Sequence, residues 1–216
     1  FDAVVITTAA KSRDPAAYER IYVEGTRRLL AALSRHQAPA RRVIFTSSTA
    51  VYTVEDGRWV DEDTPVDTAS FRSATLLAAE ACVRGLGEAG CVLRLGGIYG
   101  PERTRLLRQM QAGQVPMPSG PVYTNRMHRD DCAGALRHLL DMPRTQSVYL
   151  GVDDEPADKR DILRWLVEAQ GAPTPVADPA PPSPGKRCSN TRLRGTGYTL
   201  TYPTFREGYA ALLHTS

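Results

Sequence analysis

The chain has 216 residues, enough for one sizeable core without a disulfide or metal staple. Hydrophobic residues make up 42% and charged residues 24%, an ordinary globular balance, and no run of about 18 apolar residues offers a membrane span. The net charge is only +3 and the basic residues are dispersed, which argues against a nucleic-acid stripe. The four cysteines, Cys82, Cys91, Cys132 and Cys188, lie far apart without a CxxC pair. They read as reduced, mostly buried thiols of a cytoplasmic protein rather than metal ligands.

The chain begins at Phe1 and runs straight into Val4-Val5-Ile6. A continuous apolar run of this kind reads as a strand buried on both faces, with neighbours on each side. Such a strand is not expected at an edge, so an N-terminal piece is expected to precede Phe1. Residues 15–34 place Tyr18, Ile21, Tyr22, Leu29 and Leu33 at helical spacing, behind Asp14-Pro15 in cap and first-turn positions. Arg42 to Ser48 reads as a second buried strand. Residues 73–86 form a second helix, stopped by Gly87 and Gly90. Cys91 to Leu95 is a third strand, ended by Gly96-Gly97. Strand, helix, strand, helix, strand in order predicts a parallel sheet with right-handed crossovers.

The second half is less regular. Helices are predicted over 101–112, from Cys132 to Asp141, and over 158–170, with Ser147 to Val152 as a short strand. Residues 173–184 carry six prolines and read as an extended linker. Two short helices are predicted around Tyr198 to Pro203. The domain division expected is 1–95, then 96–216 for the remaining sheet elements and a substrate-side region.

Open parallel sheets bind ligands beyond the carboxyl ends of their strands. Three loops qualify: Thr7-Thr8-Ala9-Ala10, Ser47-Ser48-Thr49, and Gly96-Gly97-Ile98. Their small residues and hydroxyls let a flat ligand approach the backbone.

Five stretches carry a family resemblance: DAVVITTAA, IYVEGTRRLLAAL, VIFTSSTAVY, VLRLGGIYGPER and NRMHRDDCAGAL. In this order they resemble the extended short-chain dehydrogenases/reductases, the group of NAD-dependent epimerases and dehydratases, and particularly an atypical branch of it. The resemblance implies a Rossmann-like doubly wound parallel sheet with a small C-terminal substrate region. It implies NAD or NADP as cofactor, with Thr8, Ala9, Ala10, Ser47, Gly96, Gly97 and Ile98 beside it. It implies a small-molecule substrate such as a sugar nucleotide, and no membrane, nucleic-acid or metal partner; a homodimer is held open. The family's GxxGxxG turn is expected in about 60 residues upstream of Phe1, given the length of a βαβ unit. On that reading these 216 residues alone bind the dinucleotide poorly.

The family's catalytic set is Ser/Thr with Tyr-x-x-x-Lys. Ser48 matches the serine. The Tyr-x-x-x-Lys window falls on Ser70 to Leu76, where Arg72 and Leu76, or Phe71 and Thr75, take the two places. The only lysines are Lys11, Lys159 and Lys186, so no local realignment supplies the pair. The catalytic candidates are therefore Ser48, Tyr52 as substitute proton donor or as pocket wall, and Arg72 as a stabiliser of negative charge that cannot itself give up a proton. His128 reads as an acid–base group or a satisfied core histidine, Asp131 as a helix cap, and Arg94 as a tie from inside the sheet. Lys11 reads as a phosphate contact or a solvated loop residue. Lys186 and Arg187 bind an anion or sit in water. The alternative to an altered enzyme is a cofactor-binding sensor or scaffold without catalysis.

Overall fold

The computed structural model describes residues 2–10, 12, 14–36 and 40–214. In chain order they form β1 (Ala3–Ile6), α1 (Pro15–Tyr18), α2 (Gly25–Arg35), β2 (Arg42–Ser48), β3 (Asp56–Val60), α3 (Phe71–Arg84) and β4 (Gly90–Leu95). Then follow β5 (Gly97–Tyr99), α4 (Arg105–Gln111), β6 (Tyr123–Thr124), β7 (Arg126–His128), α5 (Arg129–Asp141) and β8 (Val148–Gly151). The chain closes with β9 (Ala157–Asp158), α6 (Lys159–Gln170), β10 (Gly185–Cys188), α7 (Thr191–Arg194) and α8 (Phe205–Leu213).

These elements fall into two compact units of similar length. The first takes 1–53, 62–95 and 134–151; the second takes 54–61, 96–133 and 152–216. A single cut after residue 95 does not describe this division. Val148–Gly151 returns to pair with β4, and Asp56–Val60 leaves early to pair with β10.

The first unit is a Rossmann-like α/β layer. Its sheet has the order β1-β2-β4-β8 and every pair is parallel. β2 and β4 are central and almost wholly buried, as their continuous apolar runs require. β1 stands at the edge of the described sheet with β2 as its one neighbour, and Ala3, Val4 and Val5 are only half-buried. At the other edge, the Leu150 N–H on β8 donates to Glu62 (2.7 Å), which occupies a backbone donor left outside the ladder.

Asp14 caps α1 by accepting from the Ala17 N–H (2.8 Å), with Pro15 in the first turn. The helix then continues through a π-helical stretch, Glu19–Glu24, into α2. Ser70 caps α3 by accepting from the Ser73 N–H (3.1 Å). α3 lies against β2 and β4 and buries Leu76, Ala79 and Val83.

The second unit is built from short ribbons and helices. Parallel pairs β5·β7 and β3·β10 and the antiparallel pair β6·β9 flank a core of Leu107, Met110, Ile162, Leu163, Leu166, Phe205 and Tyr209. α6 ends at Gly171, whose φ of 61° is a left-handed stop that glycine adopts without strain.

Candidate functional site

The first unit presents the carboxyl edge of its parallel sheet. Register pairs Ile6 with Phe45, and Ser48 with Leu95, so the segment after β1 runs on beside the end of β2. The Thr46 hydroxyl donates to the Ile6 carbonyl (3.0 Å) and ties the two strands there. Thr7, Thr8 and Ala9 are exposed, and the Ala10 N–H donates to the Tyr22 hydroxyl (3.3 Å). Ser48 ends β2 half-buried, and its hydroxyl accepts from the Ala50 N–H (3.1 Å), capping a short 3-10 turn. Lys11 lies outside the described residues.

Directly inside this edge is a network that the sequence only hinted at. Glu80, on α3, and Arg94, on β4, are 1% and 3% exposed and form a two-point ion pair. Arg94 donates from Nε to Glu80 Oε1 (3.0 Å) and from Nη2 to Oε2 (2.7 Å). Ser47 Oγ donates to the same carboxylate (2.6 Å). Arg94 Nη1 donates to the Tyr52 hydroxyl (2.6 Å). Burial works against the guanidinium charge, but the Glu80 carboxylate and Tyr52 outweigh it and hold the Arg94 pKa above its ordinary value.

This network bears on two candidates. Ser47 spends its hydroxyl on Glu80, so toward a ligand it has only its backbone. Tyr52 is 1% exposed and its hydroxyl is held by Arg94. A phenol so enclosed turns its hydroxyl to Arg94 rather than to solvent. Of the two serines, Ser48 is the one whose hydroxyl is not bonded to Glu80; it is half-buried and caps the turn that follows. Arg72 sits half-buried in the first turn of α3, with its guanidinium 5.8 Å from the Phe71 ring centroid. The window expected to hold Tyr-x-x-x-Lys is structural here: Thr75 donates to the Phe71 carbonyl (2.8 Å) and Leu76 is buried.

Gly96, Gly97 and Ile98 belong to the second unit. A Cβ on Gly96 would stand 2.8 Å from the Asn125 carbonyl oxygen, so glycine there serves close backbone packing. In the same unit His128 is 1% exposed, 3.9 Å from the Tyr202 ring and edge-on to Tyr99. Its Nδ1 accepts from the Asp130 N–H (3.2 Å), so its proton is on Nε2, which has no partner. Burial lowers its pKa against the pull of Asp130 and Asp131, leaving a neutral imidazole.

Asp131 does not cap its own helix. Its carboxylate accepts from the Thr201 N–H (2.8 Å), the Tyr202 N–H (2.9 Å) and the Tyr198 hydroxyl (3.1 Å), clamping the 198–202 loop to α5. Arg187 is not in open water. Its guanidinium lies 5.3 Å from the Trp59 ring centroid and 4.7 Å from that of Tyr123, and its Nε donates to the Gly57 carbonyl (2.6 Å). Lys186 is mostly enclosed, and burial lowers its pKa.

A model of the NAD dependent epimerase/dehydratase family matches residues 1–150. The chain belongs to that family. Protein YeeZ of Escherichia coli K12 is 33% identical over 149 residues, which are 68% of this chain and 52% of YeeZ. The chain thus spans about half the length of the curated relatives it matches. A Methylobacillus flagellatus protein assigned to the NAD-dependent epimerases/dehydratases is 38% identical in structure-based alignment, with a TM-score of 0.81 over 99% of this chain and 76% of that one. The human epimerase family protein SDR39U1, solved with NADPH, shares the fold at a TM-score of 0.83 and 18% identity, covering 100% of this chain and 83% of that one. As an epimerase/dehydratase family member, the chain shares a Rossmann-like fold with proteins that hold nicotinamide dinucleotides. Among the described residues no helix is long and apolar enough to cross a membrane.

Proposed function

We propose that the chain serves an NAD(P)-dependent, epimerase-like oxidoreductase with a non-standard acid–base set, acting on a sugar nucleotide or similar small polar substrate. The reading is carried by the carboxyl edge of the β1-β2-β4 sheet, where Thr7 to Ala9 are exposed and Ser48, half-buried, has the hydroxyl not bonded to Glu80. These residues fit a dinucleotide: they are small, and Thr7 to Ala9 are exposed. Thr8, Ala9, Ala10 and the Ser47 backbone would hold it on this edge; for Gly96, Gly97 and Ile98 the cofactor-side place rests on the family resemblance alone. Bound there, a nicotinamide supplies reversible hydride transfer.

The protein's own part is binding and proton handling. Ser48 donates to a substrate oxygen or holds a water on it. Arg72 steadies negative charge but releases no proton at neutral pH. Tyr52 and His128 are both enclosed, so the proton comes from the Ser48-held water or from the substrate. Losing a positioned acid–base group costs about 10²–10⁴-fold in rate, so slow turnover is expected. The sequestered Tyr52 hydroxyl and the missing Tyr-x-x-x-Lys favour a second reading, a cofactor-binding sensor or scaffold without catalysis.

Both readings are tested on the full-length protein by titrating NADH and NADPH with fluorescence detection, then measuring single turnovers with UDP-sugars. Binding with slow turnover that Ser48→Ala reduces further supports the enzyme. Binding without turnover supports the sensor. No binding of either dinucleotide overturns both.

A further inference from the structure

The second unit holds a group of buried polar atoms that its own fold leaves unsatisfied. Arg126 opens β7, and the Asp153 N–H donates to the Arg126 carbonyl (2.7 Å), which fixes the two residues side by side. Asp153 is 2% exposed, and neither of its carboxyl oxygens accepts a hydrogen bond of ordinary geometry. Arg126 Nε is buried and also lacks a partner. The acidic neighbours are committed elsewhere: Asp154 accepts from Asn190 (2.7 Å) and faces Arg194 (3.5 Å), and Glu155 pairs with Arg206. Among the described residues Arg126 makes no ion pair. Buried polar groups are nearly always satisfied, so these orphans in one place point to a partner from outside the chain.

We propose that Arg126 and Asp153 form a binding site for the carboxylate of a small monoanionic ligand, Arg126 supplying the charge and Asp153 a carboxylic O–H. The site goes beyond the nicotinamide reading and does not depend on it. Burial pushes the Asp153 pKa up to about 8, opposed by the Arg126 charge and the Glu155 amide and assisted by the Glu155 and Asp154 charges. The other titratable groups that face it are the hydroxyls of Tyr99, on β5, and Tyr209, on α8. Burial raises both, so they stay neutral. At neutral pH the pair therefore carries one net positive charge. A monoanion cancels it, whereas a dianion such as sulfate leaves a buried negative charge and a neutral hydroxyl leaves the guanidinium uncompensated. A carboxylate also accepts from both donors at once, through charge-assisted bonds. Access is provided by Gly97. It is the register partner of Arg126 across β5·β7, it is exposed, and it has no side chain to close that side.

The test follows the Arg126 side chain by a carbon-detected ¹⁵Nε–¹³Cζ correlation, which survives at high pH, with acetate as the probe. At about pH 6.5 acetate should shift the Arg126 signal saturably, while sulfate, a dianion at this pH, and glycerol should not. Affinity should fall at least tenfold by about pH 9.5, as Asp153 loses its proton. Asp153→Asn keeps a neutral donor, so it should retain binding and lose that pH dependence. Arg126→Gln should abolish binding. The wild-type titrations decide the matter even if a variant fails to fold. No shift with acetate, an equal shift with glycerol or sulfate, or an affinity unchanged across this pH range would each overturn the proposal.

Discussion

Glu80 and Arg94 each depend on the other, because both are withdrawn from water. Replacing one partner leaves an uncompensated buried charge, which typically costs about 3–5 kcal/mol. Glu80→Ala is expected to lose that much in urea denaturation. Glu80→Leu combined with Arg94→Met should recover most of it, since an apolar pair of similar volume strands no charge. If the double variant were as unstable as the single one, the network would owe its effect to packing alone. Ser48→Ala belongs to the same scale but to a different class. Its hydroxyl caps a single short turn, so it should cost about 1 kcal/mol or less of stability while lowering any turnover. In sequence, Ser48 was legible because a strand-end hydroxyl has a recognisable place. The Glu80 pairing was not, since only folding brings α3 and β4 side by side. Asp153 was hidden for another reason: it sits in Asp153-Asp154-Glu155-Pro156, which reads as a solvated acidic turn.

At the scale of elements, two glycines three residues apart make opposite demands. A Cβ on Gly90, at the start of β4, would fall 1.9 Å from the Val83 carbonyl oxygen of α3. That neighbour is backbone and cannot swing away, so Gly90→Ala is expected to cost about 3 kcal/mol, the upper range for overpacking. Gly87 has open space around it but a φ of 62°, so Gly87→Ala should cost only about 1–2 kcal/mol through left-handed strain. Denaturant midpoints of the two variants check the ranking. The clamp on α5 gives a third case. Asp131→Ala should free the Thr201 and Tyr202 amides, read as faster hydrogen exchange there than in α3. The regular elements were foreseeable where the apolar run was unbroken, as in β2, or strictly periodic, as in α3. β3 and β10 were not foreseeable. Asp56–Val60 and Gly185–Cys188 are short and polar, and each becomes a strand only by pairing with the other.

For the whole molecule, the pH dependence of stability carries the mark of one buried acid. Asp153 has a folded pKa of about 8 against 3.8 unfolded. The folded state therefore holds a proton that unfolding releases between those values, and the group's contribution is full below about pH 4 and lost as pH rises through 8. Asp153→Asn should raise the thermal midpoint at pH 8.5 by more than at pH 4. An equal effect at both would mean that the carboxyl is not protonated in the fold. The interleaving of the two units has a further consequence for the order in which the protein can be made. On the ribosome, the first sheet is complete once Gly151 has emerged. β3 by then has long been outside the exit tunnel, but Gly57 meets Arg187 only 130 positions later. Throughout that interval Trp59, still 54% exposed in the finished fold, waits on a strand with no partner. A nascent chain halted before β10 would thus display a finished sheet and a bare, sticky strand together, the kind of surface that a chaperone must cover until translation ends.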